Sequence, residues 1–363
     1  MTNSNDSVDS SDALLQIGFA NECQAWKLES RFFPSKIGGK PAWLAFSDLP
    51  CGKDLCCEKC GKPTIHLCQI YAPIDNKQSC FHRSLFVFFC RNPECCDDND
   101  SKNFKVFRCQ LPRANDYYPF DPPVEEENWR PDVKAEKFNT LCHICGNKSS
   151  SKCSRCKILF YCSKDHQAID WKAGHKAECS TVLSMEKVKS RSNDVLLKEF
   201  EVSIETEESD EDDIHKDERE AIKEYEDLIL QGRGGTLQGE TAVDADLTAM
   251  ALKEDKTYEK FRKKIHSNPD QVLRYERGGK PLWVSANHIP KDADIPNCPY
   301  CNEKRQFEFQ ILPQMLNYLQ MDDIGKSIDW GTLVVFTCSE SCDSGPAYKK
   351  ECIWKQDFSY EST

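Results

Sequence analysis

The chain has 363 residues, 39% of them hydrophobic, which is enough for two or three domains with small cores. Its net charge of −12 argues against a protein that simply coats nucleic acid. The N-terminus carries no signal sequence and no run of about 18 apolar residues exists, so we expect a soluble protein of the cytosol or nucleus without a membrane span. In such a compartment the 22 cysteines predict metal sites rather than disulfides.

Cysteine pairs and apolar strands follow a polar tail. Residues 1–12 are polar and acidic and predict a disordered tail, whereas residues 13–135 contain a Gly-Gly-Lys-Pro-x-Trp turn, a Cys-x2-Cys pair, a Gln-Ile strand and the apolar run LFVFFC. This layout predicts a β-rich module that holds one zinc ion. Its expected ligands are Cys57, Cys60, Cys90 and Cys95. Cys56 and Cys96 adjoin two of them, and the sequence leaves open which neighbour binds; cysteines that merely serve as small buried hydrophobes are the alternative.

Eight potential metal ligands follow within residues 136–182. They form four consecutive pairs, Cys142-x2-Cys145, Cys153-x2-Cys156, Cys162-x3-His166 and His175-x3-Cys179. Eight ligands satisfy two tetrahedral zinc ions with no position left open, which is typical of structural and not of catalytic zinc. Because so short a segment has few apolar residues to bury, we expect zinc to supply much of its folding energy.

The same segment resembles the MYND zinc-finger family. The resemblance rests on the ligand spacing together with Tyr161-Cys162-Ser163, Gln167 and Trp171. It implies a cross-brace, in which the first and third pairs hold one ion and the second and fourth pairs hold the other. His166 departs from the common pattern, which has cysteine there, but histidine is an equally good zinc ligand. The resemblance also implies a protein-interaction module that binds proline-containing peptides.

An acidic segment separates this finger from the C-terminal part. Residues 142–191 contain ten Lys/Arg against four Asp/Glu, whereas residues 199–220 contain twelve Asp/Glu against two Lys/Arg. We interpret residues 183–255 as an acidic, disordered linker with helical segments, because its few apolar side chains cannot offset the entropy cost of ordering. Two further hypotheses are that it occupies the basic surface of a partner or folds back on the basic finger.

Residues 256–363 repeat the order of the N-terminal module. A helical pattern that places Phe261 and Ile265 on one apolar face should end before Asn268-Pro269. A Gly-Gly-Lys-Pro-x-Trp turn, a Cys-x2-Cys pair, a Gln-Ile strand and the apolar run LVVFTC then follow, at an offset of 240 to 248 residues from their N-terminal counterparts. A further zinc ion is predicted at Cys298, Cys301, Cys338 and Cys342.

These patterns predict an α+β protein made of small zinc-stabilised modules. Its two β-rich repeat halves would pack together into one body, with the finger and the acidic disordered linker inserted between them. The expected cofactor is zinc, two ions in the finger and one in each repeat. Oligomeric state is not predicted.

The combination of motifs in order resembles the programmed cell death protein 2 family. The motifs are GFANECQAW, FPSKIGGKPAWL, FHRSLFVFFC, QLPRANDYY, the histidine-containing finger and CPYC followed by FEFQILPQMLNYL and DWGTLVVFTC. The resemblance covers nearly the whole chain. It implies a zinc-binding regulator of cell growth and stem-cell maintenance, linked by the family name to apoptosis and found in cytoplasm and nucleus. It further implies a dedicated chaperone of one basic protein of the small ribosomal subunit, captured as it is made.

Other function classes fit the sequence less well. Asn287-His288 lacks the following cysteine of a SET-methyltransferase cofactor motif, Gly325-Lys326-Ser327 lacks the earlier glycine of a phosphate loop, and no H-E-x-x-H or G-x-S-x-G occurs. We therefore expect no enzyme. Direct nucleic-acid binding by the basic finger is disfavoured by the neighbouring acidic tract. A MYND adaptor in transcriptional or apoptotic signalling is the main alternative to the chaperone.

Overall fold

The computed structural model describes residues 15–179, 194–207, 256–319 and 328–358. The N-terminal tail and most of the acidic linker, including the helical pattern AIKEYEDLILQ, lie outside the described residues. In the part of the chain that is described, none of the helices has the length and apolar character that crossing a bilayer requires.

One sheet of eleven strands dominates the molecule. Its strands in chain order are β1 (Gln16–Asn21), β2 (Lys36–Ile37), β3 (Ile65–Tyr71), β4 (His82–Phe89), β5 (Phe104–Leu111), β8 (Phe200–Thr206), β9 (Gln271–Tyr275), β10 (Arg305–Ile311), β11 (Thr332–Cys338), β12 (Tyr348–Lys350) and β13 (Cys352–Gln356). Neighbours in the sheet follow the order β12-β5-β4-β3-β2-β8-β1-β9-β10-β11-β13, and every pairing is antiparallel. The N-terminal cysteine-rich segment (residues 13–135) and the C-terminal one (residues 256–363) therefore contribute strands to the same sheet.

The sheet nearly closes into a barrel. Its two outermost strands, β12 and β13, are consecutive in the chain and only Glu351 separates them. β12 pairs with β5 on one side and β13 pairs with β11 on the other, while the Glu351 amide donates to the Val106 carbonyl at 3.0 Å. A single extended segment, residues 348–356, thus joins both edges and leaves little unpaired backbone.

The apolar runs of the sequence are buried on both faces. β4 alternates between the inner core, which receives Leu85, Val87 and Phe89, and an outer cluster, which receives Phe86 and Phe88. The outer cluster is covered by residues 42–49 and by the segment that follows β5. All residues of β4 and β11 are buried, which confirms the interpretation of these near-continuous apolar runs as strands covered on both sides.

Helices are short and few among the described residues. They are α1 (Lys164–Asp170) and α2 (Lys176–Glu178) in the finger, α3 (Lys256–His266) and α4 (Leu316–Leu319); the finger also has a two-stranded hairpin of β6 (Ser151–Lys152) and β7 (Phe160–Tyr161). α3 lies where the helical pattern predicts it and ends before Asn268-Pro269. Phe261 and Ile265 pack against Val284 and Leu312, which fixes α3 to the C-terminal part of the sheet.

β8 corrects the interpretation of residues 183–255 as a disordered linker. Within that range, Phe200–Thr206 forms a strand in the middle of the sheet, between β1 and β2. Phe200 and Val202 are buried in the inner core, whereas the acidic residues that flank the strand pair with buried cations, Glu199 with Lys36 and Glu207 with Arg274. Alternating apolar residues in FEVSIET thus outweigh the acidic composition that suggested disorder.

The two cysteine-rich segments share local details. The Gln69 side chain accepts from the Ala42 amide at 2.8 Å and donates to the Ala42 carbonyl, and Gln310 accepts from the Leu282 amide at 2.6 Å and donates to the Leu282 carbonyl. Both strands also carry a register shift just before these glutamines. The internal duplication stays a prediction, which these matching contacts support.

Two buried ion pairs connect strands of the two segments. Arg83 on β4 donates to both carboxylate oxygens of Glu308 on β10 at 2.7 and 2.9 Å, and both side chains are fully buried. Arg108 on β5 donates to Glu351 at 2.7 Å, and Glu351 also accepts from Arg305 at 3.0 Å. Burial alone would raise the pKa of Glu308, but Arg83 and Thr337 more than offset it, so its pKa lies below the ordinary value.

Candidate metal centres

Four groups of four side chains come together as possible metal sites. In each group one sulfur or ring nitrogen per residue lies within 4.8 Å of the other three. The groups are Cys57, Cys60, Cys90 and Cys95; Cys142, Cys145, Cys162 and His166; Cys153, Cys156, His175 and Cys179; and Cys298, Cys301, Cys338 and Cys342. The structure thus brings together all sixteen residues that the sequence selects, in the predicted sets. Whether each set holds a metal stays a prediction.

The first finger centre is built by the turn that carries Cys142 and Cys145, by Cys162 just after β7, and by α1. Cys145 and Cys162 have their sulfurs 3.5 Å apart, and His166 Nδ1 lies 3.1 Å from Cys162 Sγ and 3.6 Å from Cys142 Sγ. Ser163 caps α1 by accepting from the His166 amide at 3.1 Å, which fixes the start of the helix that carries the histidine. The cap therefore positions His166 against the sulfurs.

The second finger centre uses the end of the helical segment. His175 Nε2 lies 3.4 Å from Cys153 Sγ and 3.6 Å from Cys156 Sγ, and the Cys153 and Cys179 sulfurs are 3.6 Å apart. A π-helical turn over Trp171–His175, with Gly174 at φ 146°, turns His175 and Cys179 towards these sulfurs. The pairing of alternate ligand pairs is the cross-brace that the MYND resemblance implies.

The two remaining centres lie beside strands of the sheet. Cys90 follows β4 and its sulfur is 3.6 Å from that of Cys60. Cys338 ends β11 and its sulfur is 3.5 Å from that of Cys301, while the Cys298 and Cys342 sulfurs are 3.7 Å apart. In both centres strand pairing brings the distant second cysteine pair to the first.

These distances fit zinc. Bonds of about 2.3 Å to sulfur and about 2.0–2.1 Å to nitrogen give tetrahedral edges of about 3.8 Å between sulfurs and about 3.5 Å between sulfur and nitrogen. The ligand atoms are all sulfur or imidazole nitrogen, the set that structural zinc prefers over oxygen-loving cations. A zinc ion held by four protein ligands would have a complete tetrahedron, so such an ion would leave no open position for water or substrate.

All four Cys-x2-Cys pairs adopt the same tight turn. The residue four positions after the first cysteine returns its amide to that cysteine's carbonyl at 2.8–2.9 Å. These residues have positive φ, and they are Gly61, Gly146, Lys157 and Asn302. The turn points both sulfurs to one side, so the spacing of the pair alone allows this local geometry to be predicted.

In the second finger centre, backbone amides lower the pKa of one thiol, whereas burial raises the pKa of another. Burial alone would raise the pKa of Cys153, but hydrogen bonds from the amides of Cys156 and Arg155, together with the contact to the His175 ring, lower the pKa to about 6. Burial and the neighbouring Cys153 sulfur raise the pKa of Cys179 to about 11. A divalent cation would stabilise every sulfur as thiolate, because its charge offsets the repulsion between them.

The structure shows which member of each pair of adjacent cysteines belongs to the first ligand group, a choice that the sequence does not decide. Cys57 and Cys95 belong to the first group, whereas the Cys56 thiol donates to the Gly52 carbonyl at 2.8 Å and the Cys96 thiol to the Asp329 carbonyl at 3.5 Å. No disulfide forms, and all 22 cysteines are free thiols.

Sequence patterns did not reveal the side chains that contact the ligand sulfurs. Asn92 Nδ2 lies 3.5 Å from Cys95 Sγ, and Arg108 Nη2 lies 3.9 Å from Cys342 Sγ. Arg108 comes from β5 of the N-terminal segment, so the contact links a strand of one segment to the metal centre of the other. Its only sequence signal is a charged residue within a buried strand.

The finger rests on the N-terminal segment through its first turn. The Trp43 indole donates to the Gly146 carbonyl at 2.9 Å, and Asn147 donates to the Thr64 carbonyl at 3.0 Å. A Cβ on Gly146 would lie 2.9 Å from the Lys40 side chain, so the approach requires glycine. Trp43, which also packs against Phe86 and Phe88, is only 1% exposed.

Comparison with known families and proteins agrees with this architecture. Residues 14–125 match "Programmed cell death protein 2, N-terminal domain", residues 255–357 match "Programmed cell death protein 2, C-terminal putative domain", and residues 142–179 match "MYND finger". No solved structure is significantly similar to the chain.

Three relatives indicate the range of similarity. Programmed cell death protein 2 of Mus musculus is 44% identical over 94% of this chain and 96% of its own length. Programmed cell death protein 2-like of Mus musculus is 26% identical over 86% of each chain. Probable 20S rRNA accumulation protein 4 of Schizosaccharomyces pombe is 38% identical over 24% of each chain. The chain belongs to the programmed cell death protein 2 family.

Proposed function

We propose that this protein is a non-enzymatic chaperone of one basic protein of the small ribosomal subunit. It would act in cytoplasm and nucleus and thereby support ribosome biogenesis, cell growth and stem-cell maintenance. The observation that carries the proposal is the similarity to a fission-yeast protein whose name refers to 20S rRNA accumulation. That relative covers a quarter of the chain, so its name suggests the process and not the partner.

The structure is compatible with a binding role in two ways. Four complete ligand sets would make the zinc ions structural, so their expected task is to hold binding surfaces in place. The net charge of −12 favours basic partners by long-range attraction and disfavours nucleic acid. A ribosomal protein outside the ribosome carries a basic surface that needs such a partner.

The test uses the full-length, zinc-loaded chain and the proteins extracted from purified small ribosomal subunits. The immobilised chain should retain one basic protein at low salt and retain less of it at high salt. Capture of none, or equal capture of many basic proteins, would contradict the proposal. Cys338→Ala should weaken capture by disrupting the C-terminal centre, whereas Cys153→Ala in the finger should not.

A signalling adaptor remains the second candidate. Its support is the finger, whose first turn contacts the sheet while Gln167 and Trp171 on the helical segment stay partly exposed. An adaptor would lose its partners with Cys153→Ala, including any proline-containing peptide. The same variant therefore separates the two candidates.

A further inference from the structure

An irregular segment follows β5. Between Leu111 and the short helical turn Ala135–Lys137 the chain runs without helix or strand. Connections this long are uncommon in compact domains and often serve binding.

Contacts with the sheet body fix this segment at several points. The Tyr118 hydroxyl donates to the Leu44 carbonyl at 2.8 Å, and the buried Arg31 donates to the Glu127 carbonyl at 2.9 Å. Trp129 lies with its ring 5.9 Å from that of Phe32. The backbone is thus held in one conformation at both ends of residues 119–126, which lowers the entropy that binding would cost.

Large apolar side chains on the fixed segment point into solvent. Phe120 is 59% exposed and Val124 is 49% exposed, and Phe81 near the Phe120 ring is 38% exposed. The Arg113 guanidinium lies 4.0 Å from the Phe120 ring centre and 5.2 Å from that of Phe81, so the three side chains form one surface. Exposed aromatic side chains held in a fixed position mark interaction sites more often than scattered ones do.

The charge around this surface is negative. Residues 116–128, DYYPFDPPVEEEN, contain five acidic residues and no basic one. Lys27 pairs with Glu125, whereas Asp121, Glu126 and Glu127 have no ion-pair partner among the residues that the structure describes. The surface therefore combines apolar contact with unpaired negative charge.

We propose that Phe81, Arg113 and residues 118–128, here called the acidic loop surface, form the docking site for a basic polypeptide segment in which Lys or Arg alternates with apolar residues. The apolar residues of the partner would contact Phe120 and Val124, and its cations would pair with the three free carboxylates. This inference rests on the proposed function for the identity of the partner, a basic ribosomal protein. Nucleic acid does not fit, because the same carboxylates repel phosphate.

Two loop variants and one control, all in the full-length, zinc-loaded chain, test the site. The apolar variant combines Phe120→Ala with Val124→Ala, and the charge variant combines Asp121→Asn, Glu126→Gln and Glu127→Gln. The control combines Ile289→Ala with Glu303→Gln, which removes an exposed apolar and an exposed acidic side chain on the C-terminal part. Equal zinc content and equal Tm establish that all three fold.

Binding is measured with two probes. One is the ribosomal protein that the unmodified chain retains in the capture experiment, and the other is a synthetic peptide of alternating arginine and leucine, with a glutamate-leucine peptide for comparison. We expect each loop variant to bind both basic probes about tenfold more weakly, the control to bind normally, and the charge variant to lose most of the salt dependence.

The outcomes separate the inference from the proposed function. If a ribosomal protein binds the loop variants and the control equally, the docking site is wrong and the chaperone proposal stands. If no ribosomal protein binds but the arginine-leucine peptide distinguishes the loop variants from the control, the site stands and the chaperone proposal fails. Loss of binding in the apolar variant alone, independent of salt, would indicate a partner that contacts Pro122 and Pro123 and would overturn the assignment to a basic segment.

Discussion

At the scale of single residues, two pairs of adjacent cysteines offer a matched test of the first metal centre. Cys57 and Cys95 face the centre, and their neighbours Cys56 and Cys96 donate to backbone carbonyls instead. Cys57→Ser or Cys95→Ser should therefore lower the zinc content, by up to one ion per chain, because each removes one of the four thiolates that complete a closed structural site. Elemental analysis of the purified variants measures this content.

The neighbouring cysteines are the controls for that experiment. Cys56→Ser and Cys96→Ser should leave the zinc content and the Tm unchanged, since neither sulfur approaches the other ligands. Equal zinc loss from both members of a pair would mean that the adjacent thiols exchange at the metal.

The buried pair of Arg83 and Glu308 belongs to the same scale. Glu308→Gln keeps the size of the side chain but leaves the Arg83 guanidinium buried without a counter-charge, which should lower the free energy of unfolding by about 3–5 kcal/mol. Urea denaturation in the presence of zinc measures the change. Asp132→Asn is the control, because its pair with Arg130 is exposed, and it should not shift the Tm.

At the scale of elements, the turn that follows β2 is shaped by the segment that leads into β8. Gly38 has φ 70°, and a Cβ there would lie 2.0 Å from the Lys198 carbonyl oxygen. The Gly39 amide also donates to the Leu197 carbonyl at 3.0 Å. The Gly-Gly sequence thus permits both the turn and the close approach of another backbone.

Its counterpart Gly278 adopts the same left-handed conformation but lacks the close contact with another backbone. Gly278 has φ 82°, but a Cβ would meet nothing nearer than 3.7 Å. Gly278→Ala should therefore cost only the left-handed conformation, about 1–2 kcal/mol. Gly38→Ala adds the collision and should cost clearly more, with faster hydrogen exchange in Phe200–Thr206. Equal destabilisation of the two variants would show that residues 194–199 do not lie against this turn.

Much of the element level could be predicted from the sequence, and β8 shows why some could not. A local sequence pattern predicts β4, β11 and the four cysteine turns. Burial on both faces makes the two strands continuous apolar runs, and each turn requires a fixed spacing of its two cysteines. The apolar residues of β8 alternate with polar ones, but the acidic composition of the segment predicts disorder as long as its pairing partners β1 and β2 are unknown. The contact of Arg108 with Cys342 joins residues 234 positions apart, and no local pattern encodes it.

At the scale of the whole molecule, each sheet-associated metal centre has a loop held by the opposite segment. Arg108 donates to the Cys342 carbonyl at 3.3 Å, and Gln110 donates to the Ser341 carbonyl at 2.9 Å. Conversely, Lys355 donates to the Asp97 carbonyl at 3.0 Å, just after Cys95. We therefore expect metal binding at either centre to be coupled to the joining of the two segments.

Removal of zinc should consequently unfold the sheet as a unit. We expect about four zinc ions per chain, one for each ligand group, and loss of the sheet signal in circular dichroism after a strong chelator is added. Each single-site loss at Cys57 or Cys338 should lower the Tm of the whole molecule and not of one part. A chain that stays compact without metal, or that contains disulfides, would contradict the prediction.

The segment that joins β5 to β11 has a consequence for the order of protein synthesis. Among the described strands of the sheet, Tyr348–Lys350 and Cys352–Gln356 leave the ribosome last, so the nascent sheet keeps two unpaired edges until both segments have been made. A product truncated before Tyr348 would keep both edges open and become a target for aggregation and proteolysis. Closure of the sheet thus requires that translation has passed the last residue of Cys352–Gln356.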